Sequence, residues 1–123
     1  MATKILIVDD SETVRTQLRS DLEGAGFTII EAGDGQAGLD QEQKNPDIKL
    51  ILCDLNMPVM DGITLCERLA QMPEYQHIKK FMLTTESLPS HRQRAKDAGV
   101  TAWIMKPYVL ENLLVGIRKA TGQ

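Results

Sequence analysis

LILCDLNMPVMDG, the sequence of residues 50–62, joins four apolar residues to a carboxylate and a series of turn-forming residues. This pattern is typical of a buried strand that ends at a loop, with Asp54 at the junction. In open α/β sheets, ligands bind just beyond the carboxyl ends of the strands. Asp54 is therefore a candidate functional residue, although an aspartate at a strand end is more often a turn residue or a helix cap.

The composition is that of an ordinary globular protein, with 42% hydrophobic and 25% charged residues, and 123 residues suffice for one compact domain, residues 1–123. The net charge is −3, and no basic block with interleaved aromatic residues occurs, which argues against direct nucleic-acid binding. No apolar run approaches the roughly 18 residues of a membrane span, and the apolar run near the N-terminus is too short for a signal peptide. We therefore expect a cytoplasmic protein.

The cysteines and histidines suggest neither a disulfide framework nor a metal site. Cys53 falls inside a buried run and Cys66 on a predicted helix, so we expect two buried thiols. His77 and His91 have no cysteine or carboxylate cluster at metal-binding spacing nearby, and we expect both at the surface.

Short apolar strands alternate with helices of about ten residues along the whole chain. Strands are predicted at residues 4–8, 27–32, 49–53, 80–83 and 102–105. Helices are predicted at residues 11–23, 36–44, 62–71, 89–98 and 110–120. Five such units with right-handed crossovers favour an α/β fold, a doubly wound five-stranded parallel sheet of flavodoxin-like type, with strand order 2-1-3-4-5 and helices on both faces.

This strand order gathers the polar strand ends at one place. Strands one, three, four and five would be neighbours, and the second strand would lie at the edge. The residues at the carboxyl ends of the four neighbouring strands are Asp9 and Asp10, Asp54, Thr84, and Lys106. The sequence therefore predicts one site that contains three carboxylates, a hydroxyl and an ammonium group.

Three carboxylates in one crevice repel each other by about 4 kcal/mol per pair at a separation of about 4 Å and an effective dielectric constant of about 20. Such a site requires protons or a cation, and oxygen ligands of this kind suit Mg²⁺. Lys106 would add a positive charge, and Thr84 a hydroxyl. Together these groups provide what the transfer of a phosphoryl group to a carboxylate requires.

With these motifs the chain resembles, over its full length, the response-regulator receiver domains, and most of all their stand-alone chemotaxis type, CheY. The residues that carry the resemblance are Asp9-Asp10, the D-x-N-M-P-x-M-D-G motif that begins at Asp54, Thr84, and Lys106-Pro107. The resemblance implies that Asp54 is the phosphoacceptor. It also implies a Mg²⁺ ion held by Asp10 directly, Asp9 through water, Asp54, and the backbone carbonyl of Asn56.

The resemblance assigns roles to three further positions. Lys106 would contact the phosphoryl group, and the Lys106-Pro107 bond would be cis, which only X-Pro bonds adopt at low cost. Thr84 would move to bond a phosphoryl oxygen, and Trp103, an aromatic residue three positions before the lysine, would turn inward with it. Each residue alone has a simpler explanation, as a cap, a turn residue, a solvated lysine, or a core or edge aromatic.

Three positions depart from the usual family pattern. Thr85 is larger than the Ala, Gly or Ser that commonly follows the switch threonine, so we expect narrower access to the phosphoryl group. Trp103 replaces the commoner Tyr or Phe, and Tyr108 replaces the commoner Phe. Asn56 and Glu86 match the chemotaxis regulators, in which these positions affect the hydrolysis rate.

The resemblance implies a signalling switch in chemotaxis or motility that catalyses only its own phosphorylation and dephosphorylation. The expected phosphodonor is a histidine kinase similar to CheA. The expected output is the binding of a protein target through the fourth helix, the fifth strand and the last helix, by a monomer that slowly hydrolyses its own acyl phosphate.

Four alternatives remain open. An aspartyl phosphatase of the haloacid dehalogenase type would need a second aspartate two residues after the nucleophile, where Asn56 stands. A flavodoxin-like FMN binder would place the cofactor phosphate where Asp9 and Asp10 repel it. The chain could also be a scaffold that is not phosphorylated, or a receiver domain from a longer regulator, although Met1 and the tail at residues 121–123 suggest a complete small protein.

Overall fold

The computed structural model describes residues 2–123 as five strands and five α-helices that alternate along the chain. The strands are β1 (Lys4–Val8), β2 (Thr28–Ala32), β3 (Ile48–Cys53), β4 (Lys79–Thr84) and β5 (Val100–Met105). The helices are α1 (Glu12–Gly24), α2 (Gly35–Lys44), α3 (Gly62–Ala70), α4 (Pro89–Asp97) and α5 (Leu110–Ala120). All strand pairs are parallel, and the order β2-β1-β3-β4-β5 confirms the predicted fold class.

The sheet is covered on both faces, which explains why its central strands are apolar at nearly every position. In β1, Ile5 and Ile7 belong to the apolar layer that also contains residues of α1 and α5, whereas Leu6 and Val8 belong to the layer that contains residues of α2, α3 and α4. The same alternation continues along β3 and β4. A shift of β1, β3 or β4 by one residue would exchange the side chains that fill the two layers, so close packing of both layers favours the observed register.

The observed bounds lie within two residues of the predicted ones. The largest difference is at β5, which begins at Val100, directly after Gly99 in the left-handed region (φ +90°). A 3-10 turn at Pro73–Tyr75 was not predicted. Met1, which the single-domain prediction includes, lies outside the described residues.

The predictions for the cysteines are confirmed, and those for the histidines hold in part. Cys53 and Cys66 are buried free thiols, and hydrogen bonding with Cys66 together with burial raises the pKa of the Cys53 thiol. His77 is exposed, whereas His91 is half-buried. Between residues 2 and 123, no helix combines the length and apolar character needed to cross a membrane.

Glu42 is a buried carboxylate that the sequence does not indicate, because most residues of α2 are polar. Its side chain is fully buried, and neither carboxylate oxygen has a hydrogen-bond partner among residues 2–123. Burial raises the pKa of Glu42 to about 8, and the nearby charge of buried Lys80 offsets this only in part. Glu42 is therefore mostly protonated at neutral pH.

The raised pKa predicts that wild-type stability declines with pH relative to a Glu42→Gln variant. The folded protein binds the Glu42 proton more tightly than the unfolded chain, whose pKa is near the ordinary 4.5. The stabilisation is complete below that value and is lost as pH rises through about 8, at up to about 1.4 kcal/mol per pH unit. Urea unfolding from about pH 5 to about pH 9 should show the free energy of unfolding of Glu42→Gln rising relative to that of the wild type.

Glu67→Gln is the matched control, because Glu67 is half-buried and its hydrogen bonds from Arg94 lower its pKa. The difference in the free energy of unfolding between Glu67→Gln and the wild type should stay nearly constant over the same pH range. A constant difference between Glu42→Gln and the wild type would show that Glu42 is charged in the folded protein.

Candidate functional site

The two central strands bring the acidic residues together. Val8 and Cys53 are partners at the ends of β1 and β3, so Asp9 and Asp54 follow at neighbouring positions. The Asp54 backbone N–H donates to the Val8 carbonyl at 2.9 Å, and the Asp9 N–H donates to the Ala32 carbonyl at 3.1 Å. Hydrogen bonds to neighbouring strands therefore fix the backbone positions from which both carboxylates extend.

The carboxylates of Asp9, Asp10 and Asp54 form one cluster, in which one oxygen from each lies within 4.8 Å of the others. Asp9 is buried, Asp10 is exposed, and the Asp54 side chain is 12% exposed. Asp9 Oδ1 accepts the Ser11 N–H at 2.9 Å, and Asp54 Oδ1 accepts the Leu55 N–H at 2.7 Å. These backbone bonds orient two of the three carboxylates and leave Asp10 free to meet solvent.

Lys106 supplies the positive charge from the other side of the site. Its ammonium donates to Asp9 Oδ2 at 2.7 Å and to Asp54 Oδ2 at 3.0 Å. Burial alone would lower the pKa of Lys106, but the hydrogen bonds to the two carboxylates outweigh it and raise that pKa above its ordinary value. The Lys106-Pro107 bond is cis, as the resemblance implied.

The loop after Asp54 folds back and packs closely against the carboxyl end of β3. A Cβ at Gly62 would collide with the Asp54 carbonyl oxygen and the Cys53 thiol, so this close approach requires glycine. Asp61 caps α3 by accepting the Thr64 N–H at 2.7 Å. Val59 has φ +69°, and the Met60 N–H donates to the Pro58 carbonyl at 2.7 Å, which defines a γ-turn around an 82% exposed valine.

Thr84 and Trp103 are connected through the backbone of Glu86. The Glu86 N–H donates to Thr84 Oγ1 at 3.2 Å, and Trp103 Nε1 donates to the Glu86 carbonyl at 2.9 Å. Thr84 is fully buried, Trp103 is half-buried, and Arg92 lies 5.7 Å from the centre of the indole. The loop after β4 therefore joins the two residues that the resemblance assigned to a switch.

The structure thus gathers Asp9, Asp10, Asp54 and Lys106 into direct contact or close proximity. Thr84 stands at the end of the adjacent strand, but its hydroxyl accepts from Glu86, and no hydrogen bond joins it to Asp54 within residues 2–123. The remaining predicted positions, Asn56 and Thr85, are exposed.

Two features of this region could not be found from sequence. One is the bridging position of the Glu86 backbone. The other is a hydrogen bond of 2.6 Å from the Tyr108 hydroxyl to Asp21 on α1. Both depend on loop geometry, and neither leaves a spacing signal in the sequence.

The parallel sheet and the carboxylates gathered with Lys106 at its carboxyl end are typical of one class of protein, and comparison with known families identifies that class. Residues 5–118 match the family described as response regulator receiver domain, and the chain belongs to it. It is therefore a receiver domain of a two-component response regulator.

Among its relatives are chemotaxis proteins of similar length. It is 35% identical over 106 residues to the chemotaxis protein CheY homolog of Campylobacter jejuni, covering 85% of this chain and 82% of that one. It is 33% identical to the chemotaxis protein CheY1 of Helicobacter pylori, covering 85% and 86%. The structure of the chemotaxis protein CheY4 of Vibrio cholerae superposes with a TM-score of 0.90 at 34% identity, covering 98% and 99%.

The acidic cluster fits the Mg²⁺ that receiver domains generally bind. Its donors are carboxylate oxygens, which hard divalent cations prefer, and one of the three residues is open to solvent. No cysteine or histidine belongs to this cluster, which disfavours a softer metal.

If the cluster binds Mg²⁺, the ion should stabilise the fold by relieving repulsion among its carboxylates. At ten times its dissociation constant, a ligand of the folded state adds about 1.4 kcal/mol, which corresponds to a rise in Tm of roughly 5 °C. Thermal unfolding with millimolar MgCl₂ should show this rise in the wild type and a smaller one in Asp10→Asn. Asp40→Asn, a change at an exposed residue of α2, should keep the full rise. A Tm that does not respond to Mg²⁺ would contradict the site.

Proposed function

We propose that the protein accepts a phosphoryl group on Asp54 from a histidine kinase and that this event changes its affinity for a protein target. The observation that carries the proposal is the Lys106 ammonium, which contacts Asp54 and Asp9 together. A nearly buried carboxylate beside an ammonium and two further carboxylates is an arrangement suited to nucleophilic attack on phosphorus.

In the proposed reaction, an Asp54 carboxylate oxygen attacks the phosphorus of a phosphohistidine. An O–P bond forms, the P–N bond breaks, and the imidazole leaves with the electron pair of that bond. Lys106 would turn from the carboxylates to the incoming phosphoryl oxygens, because it is the positive side chain that already contacts the nucleophile. Later attack by water on phosphorus would return the Asp54 carboxylate and release phosphate.

Asp9, Asp10, Asp54 and the backbone carbonyl of Asn56 would hold Mg²⁺. When bound, the ion would neutralise charge on the phosphoryl oxygens. The Ser11 N–H keeps Asp9 in place for this role, and the Leu55 N–H does the same for Asp54.

The proposed switch begins at Thr84. If its hydroxyl turns to a phosphoryl oxygen, its bond with the Glu86 N–H is lost, and Glu86 also accepts the Trp103 indole N–H. A change at Thr84 would therefore reach Trp103 through one residue and alter the surface formed by α4, β5 and α5. A two-state element of this kind can be biased by a local change in charge.

The named relatives favour a chemotaxis pathway, so we propose a CheA-like kinase as the phosphodonor. We propose the surface of α4, β5 and α5 as the contact for the target, and a monomeric protein in the cytoplasm whose single domain comprises residues 1–123. The haloacid dehalogenase alternative is less well supported, because Asn56 stands where that chemistry needs a carboxylic acid.

The phosphoacceptor can be tested with acetyl phosphate as a small donor. Labelling should require Mg²⁺ and should map to Asp54 by peptide mass spectrometry after borohydride reduction. Asp54→Asn should reduce labelling to background, because an amide is a poor nucleophile. Asp61→Asn is the control, since Asp61 is an N-cap in the same loop, and asparagine also caps helices well, so labelling at Asp54 should persist. Label at another residue of the wild type would refute the assignment.

The switch can be followed by tryptophan fluorescence, because Trp103 is the sole tryptophan. Beryllofluoride with Mg²⁺ should change the emission of the wild type and should change that of Thr84→Ala far less. Thr84→Ser keeps the hydroxyl and should retain most of the response. Mg²⁺ affinity should remain similar in all three proteins, and an unchanged response in Thr84→Ala would exclude the proposed coupling.

A further inference from the structure

A second side-chain link ties the β5–α5 loop to α1, away from the acidic cluster. The Tyr108 hydroxyl donates to Asp21 Oδ2 at 2.6 Å, and Asp21 Oδ1 accepts from Gln17 Nε2 at 3.1 Å. An O–H to carboxylate distance this short is typical of a charge-assisted hydrogen bond. Burial, and then the bond to Asp21, raise the pKa of Tyr108 far above its usual range, so the hydroxyl remains a donor at any ordinary pH.

This link joins the same two segments as the ion pair in the site. α1 begins two residues after Asp10, and Tyr108 lies two residues after Lys106 in a loop of four residues between β5 and α5. Lys106 contacts Asp9 just before α1, and Tyr108 contacts Asp21, which lies about two and a half helical turns after the start of that helix. Between the two links lies an open groove of about 610 Å³, lined mainly by Thr13, Val14, Gln17, Pro107 and Leu110.

The two links differ in what phosphorylation would do to them. When Lys106 turns to phosphoryl oxygens, its contacts with Asp9 and Asp54 must weaken, and the loop loses that connection to the carboxyl ends of β1 and β3. The Tyr108–Asp21 bond involves neither carboxylate and can persist. On the β4 side, the Lys106 N–H donates to the Thr84 carbonyl at 3.0 Å, so the backbone of Lys106 is held from both sides while its side chain moves.

We propose that Tyr108 and Asp21 are positioning residues, which hold the β5–α5 loop against α1 so that the Lys106 ammonium is pre-organised for the phosphoryl group. This inference rests on the proposed phosphoacceptor function and extends it to residues outside the acidic cluster. Pre-organisation of a donor lowers the cost of ordering it when the ligand binds. The link depends on the tyrosine hydroxyl, because a phenylalanine at this position would have no donor for Asp21.

The experiment measures the affinity for beryllofluoride, a phosphoryl mimic, in the presence of saturating Mg²⁺. Tyr108→Phe removes one hydroxyl and should weaken beryllofluoride binding by about threefold to tenfold, which lies in the lower part of the range expected for coupled neighbours. Asp21→Ala removes the acceptor and should have a similar effect. The double variant should be no worse than the more severe of the two single variants, because either change breaks the same bond.

A second background separates positioning from a general loss of stability. In Lys106→Ala, the ammonium that the link is proposed to place is absent, so adding Tyr108→Phe should change beryllofluoride affinity by less than about twofold. Mg²⁺ affinity should be equal in Tyr108→Phe and the wild type. Tyr75→Phe is the matched control, since Tyr75 lies in the 3-10 turn before β4, at the amino end of the sheet, whereas the acidic cluster lies at the carboxyl end. This variant should bind beryllofluoride as the wild type does.

The possible outcomes are distinct. Equal losses from Tyr108→Phe with and without Lys106, or unchanged affinity in Tyr108→Phe, would overturn the positioning role while leaving the phosphoacceptor intact. A parallel loss of Mg²⁺ affinity would also overturn it, because the link would then act on the acidic cluster. A wild type that binds no beryllofluoride at all would refute the proposed function and this inference with it.

Discussion

The contact of one ammonium group with two carboxylates is the interaction on which this site depends. Asp9, Asp10 and Asp54 stand within 4.8 Å of one another, where like charges repel by several kcal/mol unless a cation intervenes. Lys106 meets Asp9 and Asp54 at 2.7 and 3.0 Å and offsets part of that repulsion. The remaining negative charge suits a divalent cation, which in the proposed function would accompany the phosphoryl group.

The sheet makes this accumulation of charge possible. β1 and β3 are buried on both faces, so their apolar contacts on either side oppose any outward movement of the two strand ends. The backbone N–H groups of Asp9 and Asp54 donate to carbonyls of neighbouring strands. Their carboxylates accept hydrogen bonds from the backbone N–H groups of Ser11 and Leu55, respectively. The stability of the two apolar layers thus offsets the cost of placing like charges close together.

The hydrogen bonds that connect the acidic site with more distant residues lie in loops and not in the apolar core. Glu86 joins Thr84 to Trp103 with two backbone hydrogen bonds, and Tyr108 joins the loop of Lys106 to α1. Loops are the parts of a fold that can adopt two arrangements at modest cost, whereas the packed layers cannot. The residues that would register a change at Asp54 are therefore those at the carboxyl end of the sheet.

The sequence by itself determined the fold class, the strand order, the element bounds to within two residues, and the membership of the acidic cluster. It could do so because burial on two faces leaves a continuous apolar run, and because parallel strands place their carboxyl ends together. Tertiary structure alone decided that Glu42 is buried with no hydrogen-bond partner in the described range 2–123, that the Glu86 backbone links Thr84 to Trp103, and that Tyr108 meets Asp21. The Trp103–Glu86 and Tyr108–Asp21 contacts join residues 17 and 87 positions apart, separations that reflect no helical or strand period, and the burial of Glu42 depends on how α2 packs. Only the packing of loops and helices creates these features.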